Sequence, residues 1–305
     1  MTSAVVTTTP TPSRFRAYIT TADYHRAPTG VDVSNLVKGD PAATEQELGR
    51  RILAASGWAD RICGQTIAAT VDTESVRGLV GRDGILTVHP RFFPIISVDA
   101  FAVGTTPGGL VPMSDLSQIW LEEQQFQVPI GGASMWSSAG PLQFSSGARP
   151  GGPVRMRYTY TSGYAMTTLA APALAGATSI QVADATGIVP GLTELMIYDD
   201  TQTEVIQVAT VVGTTLTLTD PLAWPHAVTG VEVSAIPATV KQAVVLLTSS
   251  LIQTRGAVAL IAPAVAGLSA RYTESGSNKG HGTKLTLDDS VTTALSLLEP
   301  LRRTR

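Results

Sequence analysis

Apolar residues recur at helical spacing in three segments and at every second position through most of the chain between them. From Thr44 to Ile62 the residues Leu48, Ile52, Ala55, Ala59 and Ile62 fall on one side of a helix, with Arg50, Arg51 and Asp60 elsewhere on the wheel. Thr44 and Glu47 have the spacing of a capping box, and Gly64 is the expected stop. A second helix is expected to open at Pro237, with Val240, Ala243, Val244, Leu247 and Leu251 as its apolar stripe, and to end near Arg255 and Gly256. A third runs from about Asp288 to Leu298. Asp288 or Asp289 caps it, Val291, Leu295 and Leu298 face one way, and Pro300 follows.

Between the first and second helices the period is two. Residues 85–88, 95–98 and 154–160 read as short strands, Asp83 and Gly84 as a tight turn, and Phe93-Pro94 as an interruption. Gly131 to Pro153 is a Gly/Ser/Pro-rich loop. Residues 179–182, 194–197, 204–208 and 215–218 are evenly spaced strands, with a fifth at 230–233. Short strands at regular spacing predict a small barrel or sandwich. Residues 1–13 are Thr/Pro-rich and read as an arm, Tyr18 to Val37 has too few apolar residues for an element of its own, and 257–286 read as irregular. The expected fold class is therefore α+β: a discontinuous small helical bundle with inserted β-rich domains. The expected division is 1–40 as an N-terminal arm, 41–65 with 237–305 as the helical body, 66–167 as a β-rich region and 168–236 as an inserted β module.

Composition narrows the function. Of 305 residues, 44% are hydrophobic and only 15% charged, which excludes a disordered chain. A net charge of -3 with no basic domain argues against tight binding to DNA phosphates. Cys63 is the only cysteine, so neither an internal disulfide nor a multi-cysteine metal cage is expected. The first residues lack the basic and apolar regions of a signal peptide, and no apolar run is long enough to span a bilayer, so synthesis in a cytoplasm without membrane insertion is expected.

Chemistry is sparse. His25, His89, His226 and His281 have no second histidine at metal-ligand spacing, and His89 and His226, beside Pro90 and Pro225, read as turn residues. Asp199 and Asp200 with Glu194 and Glu204 form the densest acidic group. It reads as a hairpin turn with solvent-facing flanks or, less simply, as a cation site or carboxylate pair. Gly276 to Gly282 lacks the strand that leads into a phosphate loop, and the serines lack a nucleophile elbow. Trp120, Phe126, Trp136 and Phe144 read as core, with a stacking platform as the alternative. No catalytic, cofactor or metal residues are assigned. A secreted β-sandwich that binds or cleaves glycans, with Trp120, Trp136 and the Asp199 turn as its site, is the enzyme-class alternative.

The order of elements carries a resemblance. Residues 18–24 and 27–32 lead to the first helix. The strand ending Thr161-Ser162-Gly163-Tyr164 follows, then Ile236-Pro237-Ala238-Thr239-Val240-Lys241, and finally Leu297-Leu298-Glu299-Pro300-Leu301-Arg302-Arg303. In this order the chain resembles the helical head-to-tail connector (adaptor) proteins of long-tailed bacteriophages, enlarged by β insertions. The resemblance implies a non-enzymatic virion protein that forms a ring, commonly of twelve copies, beneath the portal at the capsid–tail junction. Its implied partners are the portal protein, other neck or tail connector proteins, copies of itself, and DNA passing through the channel without sequence-specific binding. It implies no cofactor. The core of the ring body would be Leu48, Ile52, Val240, Val244, Leu247, Leu251, Leu295 and Leu298, and the portal contact Leu301, Arg302, Arg303 and Arg305. Another neck or tail-completion protein is the neighbouring alternative.

Overall fold

The computed structural model describes residues 16–34, 36–130, 151–199, 202–226, 231–253 and 289–302. The chain divides into two units, one of Arg14–Ile67 with Ile236–Arg305 and one containing Ala68–Ala235. The class is α+β, with β-rich material inserted between the two segments of a helical unit.

The helical unit holds α1 (Thr21–Arg26), α2 (Pro41–Cys63), α3 (Ala238–Gln253) and α4 (Asp289–Leu298). The sparse apolar pattern did not predict α1; its caps explain it. Thr20 Oγ1 accepts from the Asp23 N–H at 3.0 Å, and Asp23 Oδ2 accepts from the Thr20 N–H at 2.9 Å, a complete capping box. One buried residue, Tyr24, anchors α1 to α3 through Ser249 Oγ at 2.9 Å.

The start of α2 differs from expectation. Asp40 is the cap, accepting from the Ala43 N–H at 3.0 Å, and Pro41 sits in the first turn, where its missing N–H costs nothing. Thr44 is buried inside the helix and exchanges hydrogen bonds with the Val37 backbone at 3.2 Å. Glu47 pairs instead with Arg51 at 2.7 Å. The buried stripe of Leu48, Ile52, Ala55, Ser56 and Ala59 ends on Cys63, one helical step from Ala59, rather than on Ile62. Gly64 closes the helix with φ +71°, a conformation that suits glycine.

Both α2 and α4 pack on α3. Helix α3 buries Val240, Ala243, Val244, Leu247 and Leu251, and also Lys241, Thr248, Ser249 and Ser250, as befits a central helix. Its expected end at Arg255 and Gly256 lies outside the described residues, as does Asp288. In α4 the buried positions are Val291, Ala294 and Leu298, while Leu295 is half-buried. A 3-10 turn over Glu299–Leu301 carries Pro300. No helix among the described residues is long and apolar enough to cross a membrane.

The β-rich unit has thirteen strands among its described residues: β1 (Thr70–Leu79), β2 (Ile85–Val88), β3 (Ile95–Gly104), β4 (Val111–Pro112), β5 (Trp120–Leu121), β6 (Phe126–Pro129), β7 (Pro153–Ser162), β8 (Met166–Thr168), β9 (Ser179–Gln181), β10 (Glu194–Tyr198), β11 (Thr203–Val212), β12 (Thr215–Leu218) and β13 (Glu232–Ser234). The first seven form two sheets, ordered β1-β7-β3-β4 and β2-β6-β5. They enclose one core that includes Leu86, Val88, Phe101, Val103, Phe126, Val128, Met156 and Tyr158. Phe126 stands edge-on to Phe101 and Tyr158, with ring centroids at 6.1 and 5.2 Å.

The other six strands form one sheet, ordered β8-β13-β10-β11-β12-β9. This sheet curls until its two edges meet. Leu169, just past β8, bridges Val182, just past β9. The Ala170 N–H donates to Gln181 O and the Ala183 N–H to Thr168 O, both at 2.9 Å. The inner face is apolar at alternate positions, among them Leu195, Ile197, Ile206, Val208, Leu216, Leu218 and Val233. Gly187 has φ +83°, and a Cβ there would come within 2.5 Å of the Ala69 Cβ, so the 184–193 connection lies tightly against the start of β1.

Candidate functional site

The densest buried polar cluster lies at the rim of the barrel, where the sequence predicted a solvent-facing turn. His226 is fully buried. The β10–β11 hairpin sets Asp199 and Glu204 side by side, and the ring of His226 enters between them. Its Nδ1 is 3.0 Å from Asp199 Oδ2 and its Nε2 is 2.8 Å from Glu204 Oε1. Two backbone hydrogen bonds with Ala173, at 2.7 and 2.8 Å, hold the histidine in place. Glu204 also accepts from the N–H groups of Ala223 and Trp224, at 2.8 and 3.4 Å. The turn reading of His226 and the solvent-facing reading of Glu204 are therefore corrected: their side chains are 0% and 11% exposed, and that of Asp199 is 12% exposed. A general base needs one ring nitrogen free for substrate, and both nitrogens of His226 already face carboxylates. The arrangement pins the 222–226 segment to the hairpin.

A second cluster lies at the edge of the first core. Glu74 of β1 accepts from Tyr160 Oη at 2.6 Å, Tyr158 Oη at 3.1 Å and the Arg91 N–H at 2.8 Å. The Phe92 N–H donates to Tyr160 Oη at 3.1 Å. Burial, with Glu74 beside them, pushes both phenols above their ordinary range. This network ties residues 91–92, just before the cis Phe93–Pro94 bond, to the sheet.

The helical unit holds the third cluster. Asp60 Oδ1 accepts from Tyr18 Oη at 2.5 Å and from the Ile67 N–H at 3.0 Å, while Ser56 Oγ accepts from the Tyr18 N–H at 3.0 Å. The segments before α1 and after α2 are both fastened in this way. Burial raises the Asp60 carboxyl to about 6 from 3.8, outweighing the two hydrogen bonds that favour the anion. Burial pushes the Cys63 thiol up to about 12, which makes it unreactive at neutral pH. A raised folded-state value means that the protonated carboxyl stabilises the fold. That contribution is complete below 3.8 and is lost as pH rises through about 6. Asp60→Asn keeps an acceptor for Tyr18 and Ile67 and carries no charge. We expect wild type to lose about 2 kcal/mol relative to Asp60→Asn between pH 4 and pH 7. Thermal melts of both proteins at pH 4, 5, 6 and 7 check this, and parallel curves would contradict it.

The residues singled out from the sequence are placed as follows. Leu48, Ile52, Val240, Val244, Leu247, Leu251 and Leu298 are buried in the helical unit, and Leu295 is half-buried. Leu301 is half-buried and Arg302 exposed, near Glu299; Arg303 and Arg305 lie outside the described residues. Phe126 is core, whereas Trp120 is 55% exposed. Trp136, Phe144, Asp200, His281, residues 1–13 and the Gly276–Gly282 stretch lie outside the described residues. Glu194 lies on the barrel exterior beside a shallow groove lined by Pro94, Ile96, Tyr164, Gly187 and Leu192. Among the described residues no three His, Cys, Asp or Glu side chains gather as metal ligands. The sequence pattern groups Asp199 with Glu204 but not with His226, which reaches the hairpin only through barrel closure.

No protein family profile matches the sequence, and no curated protein matches it. Two solved structures resemble the fold remotely. One is the neck of an empty gene transfer agent particle computed with C6 symmetry, at TM-score 0.33 and 12% identity over 94% of each chain. The other is the virion of a native gene transfer agent particle, at TM-score 0.34 and 12% identity over 92% of each chain. Likenesses this weak carry no argument about the chain.

Proposed function

We propose that this protein is a non-enzymatic structural component of a virion, a head-to-tail connector that forms a ring beneath the portal and extends the DNA channel towards the tail. The observation that carries this reading is how the buried polar groups are used. Asp199, His226 and Glu204 satisfy one another, Glu74 serves two tyrosines and a backbone N–H, and Asp60 fastens two chain segments. Each cluster holds backbone in place and leaves no convergent acid, base or nucleophile. The order of elements supports the same reading: Arg14–Ile67 and Ile236–Arg305 make up one helical unit and the β-rich Ala68–Ala235 is inserted between them.

In this reading the helical unit is the ring body, its core including Leu48, Ile52, Val240, Val244, Leu247, Leu251, Leu295 and Leu298. The segment Leu301, Arg302, Arg303 and Arg305 meets the portal. Partners are the portal, neighbouring neck or tail connectors and further copies of the chain, commonly twelve. DNA passes without sequence-specific contact, and assembly takes place in the host cytoplasm without a membrane. Truncation after Pro300 removes the basic tail and the end of the 3-10 turn and leaves α1 to α4. It should weaken binding to purified portal at least about tenfold with the melting temperature unchanged. Undiminished portal binding by a folded truncated chain would contradict the proposal.

A further inference from the structure

The outer face of the β1-β7-β3 sheet carries an unusual register. Arg77 of β1 stands directly opposite Arg155 of β7, and Arg157 lies two residues along the same face. The positions around them are Thr73, Ser75 and Leu79 on β1, Pro153 and Thr159 on β7, and Ala100, Ala102 and Gly104 on β3. None of these is acidic. Asp99 lies at the far end of the face and is held by Thr161 and Ser97, at 2.9 and 2.8 Å. None of the three arginines forms an ion pair among the described residues. Like charges directly opposite on neighbouring strands repel, and an anionic partner relieves that repulsion beyond the screening that water and salt provide. Leu79 beside it is 68% exposed.

The complementary surface is in the same chain. Between Arg157 and Lys241 there is not one Lys or Arg, and seven carboxylates occur: Asp184, Glu194, Asp199, Asp200, Glu204, Asp220 and Glu232. Asp199 and Glu204 are taken up by His226, Glu232 is buried and Asp184 half-buried, so that Glu194 and Asp220 are the exposed carboxylates of this stretch among the described residues. Near the rim pinned by His226, the pairing of Ala173 with His226 brings Leu174 and Trp224 to neighbouring segments, 75% and 50% exposed, with exposed Asp220 close by in sequence. Apolar side chains beside unopposed acid fit a surface of exposed leucine beside unopposed arginine.

We propose that the barrel rim of one copy, through Leu174, Asp220 and Trp224, docks on the arginine face of a second copy at Arg77, Arg155 and Arg157. The contact is heterologous, because each copy presents both surfaces, and its repetition builds a ring or a filament. This deepens the ring reading and rests on it.

Two variants test the contact. One carries Arg77→Glu and Arg157→Glu; the other carries Leu174→Ser, Asp220→Lys and Trp224→Ser. Sedimentation velocity of the full chain should show wild type associating with concentration and weakening as salt rises from about 50 mM to about 500 mM. Each variant alone should associate at least about tenfold more weakly. Mixed, the two should form a one-to-one dimer, since each retains the surface that the other lacks. If a variant melts lower than wild type, Arg157→Gln and Asp220→Asn give the same comparison at smaller size.

A wild type that stays monomeric, a variant that associates like wild type, or a mixture that does not dimerise overturns the proposal. So does a monomer that retards duplex DNA through Arg77 and Arg157, which assigns the face to nucleic acid. The two readings fail separately. If the chain occupies the neck and the variants still assemble, this contact falls and the ring stands. If the chain is missing from particles while the variants complement each other, the ring reading falls and the contact stands.

Discussion

Replacing His226 with Ala destabilises the β-rich unit by about 3–5 kcal/mol, the usual cost of removing one partner from a buried charged cluster. Asp199 and Glu204 approach the same imidazole from opposite sides, at 3.0 and 2.8 Å, with side chains only 12% and 11% exposed. Without the ring, two carboxylates face one another across a cavity. The 222–226 segment also loses its anchor to the hairpin, although Glu204 still accepts from Ala223 and Trp224. Adding Asp199→Leu removes one of the two facing charges and should recover part of the loss. Urea unfolding followed by tryptophan fluorescence measures both variants. A loss below about 1 kcal/mol for His226→Ala would show that the cluster contributes little.

The second large effect is expected at Phe126. Its side chain is fully buried and meets Phe101 and Tyr158 edge-on across the two sheets of the first core. Truncation to Ala leaves a cavity and removes both ring contacts, for an expected cost of about 3–5 kcal/mol. Phe126→Leu keeps most of the volume and should cost less than half as much. The loss should register in the β-rich unit, and hydrogen exchange in α3 should keep its wild-type protection. Equal loss of protection in α3 would show that the two units unfold as one.

What the sequence revealed follows from the range of the interactions. The alternation at Ser179 to Gln181, Glu194 to Tyr198 and Thr215 to Leu218 is local, and these strands lie where the pattern put them. The stripes of α2 and α3 are local too, apart from the start of α2, where Pro41 and Asp40 outcompete Thr44 as the helix boundary. The capping box at Thr20 and Asp23 was also written in the chain, but with Tyr24 as its one buried anchor α1 had no stripe to announce it.

The longer-range features left no local trace. Barrel closure at Leu169 and Val182 joins two strand ends that are ordinary in isolation. His226 looks like a turn residue after Pro225 until closure sets it between Asp199 and Glu204. Arg77 and Arg155 are far apart in sequence and become opposed only through the β1–β7 register.

The proposal is positional: it sets the chain in the neck, with its helical unit forming a ring around the DNA channel. An electron-microscopy map of the particle neck, with the chain placed in its density, tests that most directly. The account predicts a closed ring between portal and tail, with α2, α3 and α4 of each copy in the ring wall. A particle in which the chain is absent, or lies only on the capsid shell or at the tail tip, would contradict it.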